Sequence, residues 1–190
     1  RISDYKNKFS GKCIILGNGP SLNKVNISIL EKNFTFGVNS IFLMTNKNGF
    51  RPSFYCVEDS KVFDDNLTEI SKYKPKVAKI LPEKYFEVLN SRDDFTGSIS
   101  IQVDWNFYHT SNKNFAIPRF VDTSLVKPIF YAGQSVTILN LQLAYYLGFT
   151  EIILVGMDFF YQRPTDHDQK GNHILSGGDD PNHFHPDYFG

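Results

Sequence analysis

Apolar residues in this chain gather in short unbroken runs, and most of these runs stop at Gly, Pro, Asn or Asp. Cys13 to Leu16, Phe34 to Val38, Ser53 to Val57, Lys76 to Leu81, Pro128 to Tyr131 and Glu151 to Gly156 are of this kind. Runs without alternation predict strands covered on both faces, as in a parallel sheet with helices on each side. Between them, Leu22 to Lys32 and Lys61 to Tyr73 read as helices. Ser135 starts a third helix that runs to Leu147, with Val136, Leu139, Leu143, Ala144 and Leu147 on one face and Gly148 just past its end. Ile41 to Met44 is apolar and is followed by a turn-like TNKNG.

The last strand, helix and strand predict a βαβ unit with a right-handed crossover. The expected fold is α/β: a Rossmann-like, doubly wound, mostly parallel sheet with helices on both faces. From Glu83 to Val126 only Ser98 to Val103 alternates like a strand, so 83–126 reads as an excursion, a small lid over the site. Beyond Asp158 no period is visible and a long loop is expected. The chain reads as one domain over 1–190. It starts at Arg1 rather than Met and stops at Gly190 within a motif-like stretch, so a longer polypeptide is expected.

Composition narrows the function. The 190 residues hold 20 Lys and Arg against 20 Asp and Glu, which gives neither a nucleic-acid surface nor a polybasic membrane footprint. No apolar run approaches the roughly 20 residues that span a bilayer. The two cysteines, Cys13 and Cys56, sit in apolar runs and read as small core residues in a reducing cytoplasm, not as a disulfide.

Candidate chemistry collects at the carboxyl ends of the predicted strands, where open α/β sheets bind ligands. After the first strand, Gly17 and Gly19 bracket Asn18 and precede Pro20 and Ser21. Such a turn either lays backbone N–H groups on a phosphate or is a plain connection. Asn39, Asp59 and Asp158 follow three further strands, as ligand contacts or as caps of the next turn. Gly133, Gln134 and Ser135 open the last helix. In the polar tail, His183 and His185 would face the same way if extended. This leaves open a metal pair, a single general base, or solvated loop histidines. Tyr161 and Tyr188 border the tail as candidate phosphate contacts.

GNGPSL (17–22), GVNSIF (37–42), SFYCVED (53–59), LAYYLGFTEIILVGMDFFY (143–161) and NHFHPDYFG (182–190) together resemble a superfamily with two branches. One comprises bacterial CMP-sialic-acid sialyltransferases. The other is the motility-accessory-factor group, which shares a domain with archaeal 6-hydroxymethylpterin pyrophosphokinases. The first branch implies a glycosyltransferase that moves a nonulosonic sugar from a CMP-activated donor to a glycan or protein acceptor, with no required cofactor or metal. By position, Asn18 and Asn39 would then contact the nucleotide, Asp158 its cytidine side and a tail tyrosine the leaving phosphate, with His183 or His185 as base. Gly17, Gly19, Ser21, Asp59, Gly133, Gln134 and Ser135 are further candidate nucleotide contacts by their own positions; where the sialyltransferases carry an arginine ahead of a Thr-Ser-Gly turn, this chain departs and reads Ala132 to Ser135. The resemblance implies a cytoplasmic protein, reaching to the periphery of the inner membrane, acting alone or as a homo-oligomer.

Asp59, where sialyltransferases favour asparagine, and the tail itself are closer to the second branch. That branch implies pyrophosphoryl transfer from ATP with Mg²⁺ on Asp59, Asp158 and the Asp-rich tail. A non-catalytic nucleotide-binding domain is the third reading.

Overall fold

The computed structural model describes residues 1–88, 97–105, 119–133, 135–160, 162, 167–170, 173–176 and 181–189. Seven strands form one curled parallel sheet: β1 (Lys12–Leu16), β2 (Phe34–Val38), β3 (Phe54–Cys56), β4 (Ala78–Pro82), β5 (Ile99–Asp104), β6 (Ile129–Tyr131) and β7 (Glu151–Val155). Their order is β6-β5-β4-β3-β2-β1-β7, and the fold is α/β and Rossmann-like as expected.

The order follows from handedness. Right-handed crossovers that step in one direction leave their helices on one face, and a step in the other direction puts its helix on the opposite face. From β1 to β6 the chain steps one way through α1 (Ile27–Glu31), α2 (Phe42–Asn48), α3 (Ser60–Asp65), α4 (Leu67–Lys72) and α5 (Glu83–Val88). Leu30, Met44, Phe63, Ile70 and Tyr85 of these helices pack with Ile14, Leu16, Tyr55 and Leu81 of the sheet. The return to β7 runs through α6 (Val136–Leu147), whose Leu139, Leu143 and Leu147 pack on the other face against Cys13, Ile15, Phe36 and Phe130. Alternate residues of β1 therefore enter different cores. β6 and β7 lie at opposite edges of the sheet, so the expected βαβ pair is not a pair of neighbours. β7 pairs only with β1 among the described residues, and Ile153 and Leu154 remain 37% and 49% exposed. It is an edge strand rather than a buried one.

Local chemistry shortens several predicted elements. Leu22 to Lys32 is two pieces, a 3-10 helix over Pro20–Lys24 and then α1, because the Asn26 side chain accepts from the Ser28 N–H and starts a new helix. Lys61 to Tyr73 is likewise α3 and α4, divided at Asn66. The turn-like TNKN is the body of α2, which closes at Gly49 in the left-handed conformation. The tail holds an antiparallel hairpin, β8 (His167–Lys170) with β9 (His173–Ser176), and a 3-10 helix over Pro186–Phe189 where a loop was expected. In the 83–126 stretch, α5 and β5 belong to the main fold. Residues 89–96 and 106–118, on which the lid reading otherwise falls, lie outside the described residues. No helix among the described residues is long and apolar enough to cross a membrane.

Candidate functional site

The glycine turn after β1 meets the exit of β7. The Gly17 N–H donates to Val155 O at 2.7 Å, Gly19 N–H to Gly156 O at 3.0 Å, and Ser21 N–H to Asp158 Oδ2 at 2.9 Å. A Cβ on Gly17 would lie 2.3 Å from Gly156 O, and one on Gly19 would lie 2.1 Å from Asp158 Oδ2. The glycines are required because two loops touch here, at the point where the winding of the sheet reverses. The Leu22 N–H is also taken, by Gly19 O. Four N–H groups of this turn, those of Gly17, Gly19, Ser21 and Leu22, thus bond to protein. Ser21 does not cap the following helix, since Gly19 holds the N-cap position. Asp158 anchors Ser21 through its carboxylate.

Asn18 points the other way. It is 8% exposed, and its Nδ2 donates both to Val38 O at 3.1 Å and to the Tyr188 hydroxyl at 2.8 Å, while its Oδ1 is buried with no partner. The tail is fastened to the same spot, because the Phe184 N–H donates to Asn18 O and Asn23 Nδ2 donates to Phe184 O, both at 2.8 Å. His183 stacks on Tyr188 with ring centroids 3.8 Å apart and planes 5° apart. His185 turns to the start of the 3-10 helix that follows it, where its Nδ1 accepts from the Asp187 N–H at 3.2 Å and the Asp187 carboxylate lies at 3.8 Å. The segment bends here, so the two rings do not form the same-facing pair expected of an extended chain. Among the described residues, no three His, Cys, Asp or Glu side chains converge on one point. Gln134, Tyr161 and the acidic residues Asp166, Asp179 and Asp180 lie outside the described residues.

A cleft of about 580 Å³ opens along the carboxyl ends of five adjacent strands. Asn39 enters it from β2, Glu58 and Asp59 from β3, Lys84 after β4, Trp105 after β5 and Ser135 after β6. Asn39 holds a left-handed backbone, φ 48°, its carbonyl accepts from the Tyr55 hydroxyl at 2.6 Å, and its buried Oδ1 has no partner among the described residues. Asp59 caps α3, with Oδ1 accepting from Lys61 N at 2.7 Å and Val62 N at 3.2 Å. Ser135 caps α6 through the Thr137 N–H. Gly133 stands tight against Ile138, where a Cβ would lie 2.1 Å from the Ile138 side chain.

Three cleft residues, Glu58, Lys84 and Trp105, were not among the candidate site residues, although Glu58 ends the third predicted strand together with Asp59. Glu58 is 7% exposed, and its buried Oε2 has no partner among the described residues. Burial pushes its carboxyl above the usual range, against the pull of the Gly133 N–H and the Lys84 charge. Lys84 Nζ donates to Ser60 Oγ at 2.8 Å and sits 3.5 Å from the centroid of the Trp105 ring. Burial lowers its pKa, opposed by the charges of Glu58 and Asp59. Trp105, the only tryptophan of the chain, directly follows the alternating strand, and that position was the one available signal.

A family model described as 6-hydroxymethylpterin diphosphokinase MptE-like matches residues 1–164. The match takes in the whole cleft and the loop lock, and stops before His183, His185 and Tyr188. No curated protein and no solved structure matches the chain.

Proposed function

The chain belongs to the 6-hydroxymethylpterin diphosphokinase MptE-like family, and from that membership we propose that it is a transferase whose nucleotide-activated donor lies in the cleft at the carboxyl ends of β2 to β6. One observation carries this reading. The cleft combines a cation, Lys84, a flat aromatic surface, Trp105, and two unpaired buried acceptors, Asn39 Oδ1 and Glu58 Oε2. A nucleotide offers a partner to each: a phosphate, a base and hydroxyl or amino donors.

The donor we assign is a CMP-activated sugar, and the reaction is transfer to a hydroxyl of a glycan or protein. The oxygen of the acceptor forms a bond to the anomeric carbon, the bond from that carbon to the phosphate oxygen breaks, and CMP leaves with the electron pair. The acceptor proton passes to a tail histidine acting as general base. His183 suits this role: its ring is fixed on Tyr188, which is tied through Asn18 to the end of β2 beside Asn39. His185 has Nδ1 engaged by Asp187. Lys84 and the start of α6 at Ser135 would meet the departing phosphate. Asp59 and Asp158, the carboxylates that a Mg²⁺-dependent pyrophosphoryl transfer would use, act as a helix cap and a loop anchor, and no step here is routed through a metal.

A thermal-denaturation panel with CMP, CDP, UDP, GDP and ATP, each with Mg²⁺ or with chelator, tests the assignment. A ligand at 100 times its Kd stabilises by about 2.7 kcal/mol. Stabilisation by CMP with or without metal is expected. Stabilisation only by ATP with Mg²⁺ would replace it with pyrophosphoryl transfer, and no shift with any nucleotide would overturn the nucleotide reading.

A further inference from the structure

The Glu58 carboxylate sits in the cleft, more than nine-tenths buried, with hydrogen-bond capacity that nothing in the described protein uses. Its surroundings hold it in place. The Gly133 N–H bonds to the carboxylate, the Tyr85 hydroxyl donates to the Glu58 carbonyl, and Lys84 supplies a positive charge on the next strand end. Oε2 meets no donor among the described residues. A buried acceptor without a donor is costly, and a carboxylate oxygen more so than a neutral one. Evolution can keep such a group where a ligand completes it.

A second acceptor that no described residue meets, Asn39 Oδ1, lines the same cleft. Val38 of β2 and Cys56 of β3 are register partners, so Asn39 and Glu58 leave adjacent strand ends one and two residues further on. Asn39 reaches this position in a left-handed conformation, which asparagine adopts more readily than other side-chain-bearing residues. Two adjacent acceptors ask for a ligand edge made of donors alone. The cytosine edge sets its N3 acceptor next to its amino group and would confront one of the two with a lone pair. A vicinal diol carries two O–H donors side by side, and each can turn its hydrogen toward an oxygen.

We infer that Glu58 and Asn39 are a diol-binding pair, which grips the ribose 2′- and 3′-hydroxyls of the bound nucleotide and makes the site selective for ribonucleotides. This rests on the cleft being the nucleotide site. Glu58 takes one hydroxyl in a charge-assisted bond through Oε2, and Asn39 takes the other through Oδ1. Trp105 and Lys84 are left for the base and the phosphate.

Calorimetric titration of the whole chain with CMP and with 2′,3′-dideoxy-CMP tests the pair. Wild type should bind CMP roughly 10- to 100-fold more tightly, the range for hydrogen bonds to a charged group. In Glu58→Gln that preference should fall to about 3- to 10-fold, since charge-assisted bonds are about twice as strong as neutral ones, with dideoxy-CMP affinity unchanged. Asn39→Gly, which keeps the left-handed backbone without strain, should lose part of the preference while leaving Glu58 in place, so a folding defect in one variant does not decide the matter. CMP binding with no preference over the dideoxy form, or a preference undiminished in Glu58→Gln, would overturn the diol pair and leave the nucleotide site standing. A Glu58-dependent preference for CMP over UMP with no dideoxy effect would also overturn it, in favour of base reading. If AMP or GMP shows the Glu58-dependent ribose preference and CMP does not bind, the donor assignment fails and the pair stands. No binding of any of the four ribonucleotides overturns both.

Discussion

Asp158 Oδ2 accepts the Ser21 N–H at 2.9 Å, across 137 residues of sequence. This bond joins the exit of the last sheet strand to the turn after the first, and Gly19 lies between them with no room for a side chain. Gly19→Ala must push the carboxylate aside and break the bond, at a cost of about 1–3 kcal/mol for an overpacked contact. Gly17→Ala meets the Gly156 carbonyl, which cannot rotate away, and should cost more. For a chain of this size each kcal/mol lowers Tm by about 2–4 °C. Thermal denaturation should rank wild type above Gly19→Ala and Gly19→Ala above Gly17→Ala, and equal melting of all three would contradict the packing role.

Glu58 predicts a stability that depends on pH in a definite direction. Its native pKa is raised above the ordinary 4.5, chiefly by burial. Between that value and the native one, the folded state keeps a proton that the unfolded chain has lost. Stability contributed by the protonated group is therefore present in acid and lost as pH rises through the window. Glu58→Gln removes the charge, so without ligand the variant should be more stable than wild type at pH 7, by about 1 kcal/mol for relief of an unpaired buried group. The advantage should shrink as the pH approaches 4. A variant less stable than wild type at pH 7 would show that the carboxylate is fully paired in the free protein.

The histidines separate by their partners. His183 lies flat on Tyr188, whereas His185 Nδ1 already accepts from the Asp187 N–H. Loss of a general base costs about 10²- to 10⁴-fold in rate. In a transfer assay, His183→Ala should show a loss in this range with nucleotide affinity preserved, and His185→Ala a much smaller one. The reverse order would move the base to His185.

The architecture was legible where information is local. Cys13 to Leu16 reads as a buried strand because both of its faces enter a core, and Ser135 and Gly148 mark the two ends of α6 by their own backbone and side-chain chemistry. What failed was non-local. Nothing near β6 or β7 says that five strands separate them, because strand order depends on crossovers elsewhere in the chain. Helix interruptions at Asn26 and Asn66 hide in runs whose apolar spacing continues across them. The positions of Asn39, Asp59 and Asp158 at strand ends were readable, but not that Asp158 would face Ser21 and Asp59 its own helix. Glu58, Lys84 and Trp105 become a site only when three strand ends are brought side by side.

Both thiols should behave as core groups. Cys13 and Cys56 are 0% and 1% exposed, and burial pushes the Cys13 thiol up to about 12 and the Cys56 thiol higher still. Thiolate is the reactive form. A colorimetric thiol reagent at pH 8 should leave the native protein unlabelled and react with both cysteines in urea. Prompt labelling of the native protein would show that the β1 and β3 core opens.

Trp105 gives the cleft its own optical reporter, since the chain has only 1 tryptophan and the Lys84 ammonium sits 3.5 Å from its ring centroid. A phosphate that enters the cleft competes with the indole for that ammonium, and a base that stacks on the indole changes its surroundings further, so CMP binding should alter the emission. Lys84→Met keeps the length and apolar contact of the side chain while removing the charge. If Lys84 meets the phosphate, this variant should bind CMP about tenfold more weakly, the lower end for a charge-assisted bond. Cytidine, which has no phosphate, should bind both forms within about twofold. Equal losses for CMP and cytidine would instead place Lys84 on the nucleoside or give it a purely structural part in holding Trp105, and a CMP titration with no change in emission would put the nucleotide outside this cleft.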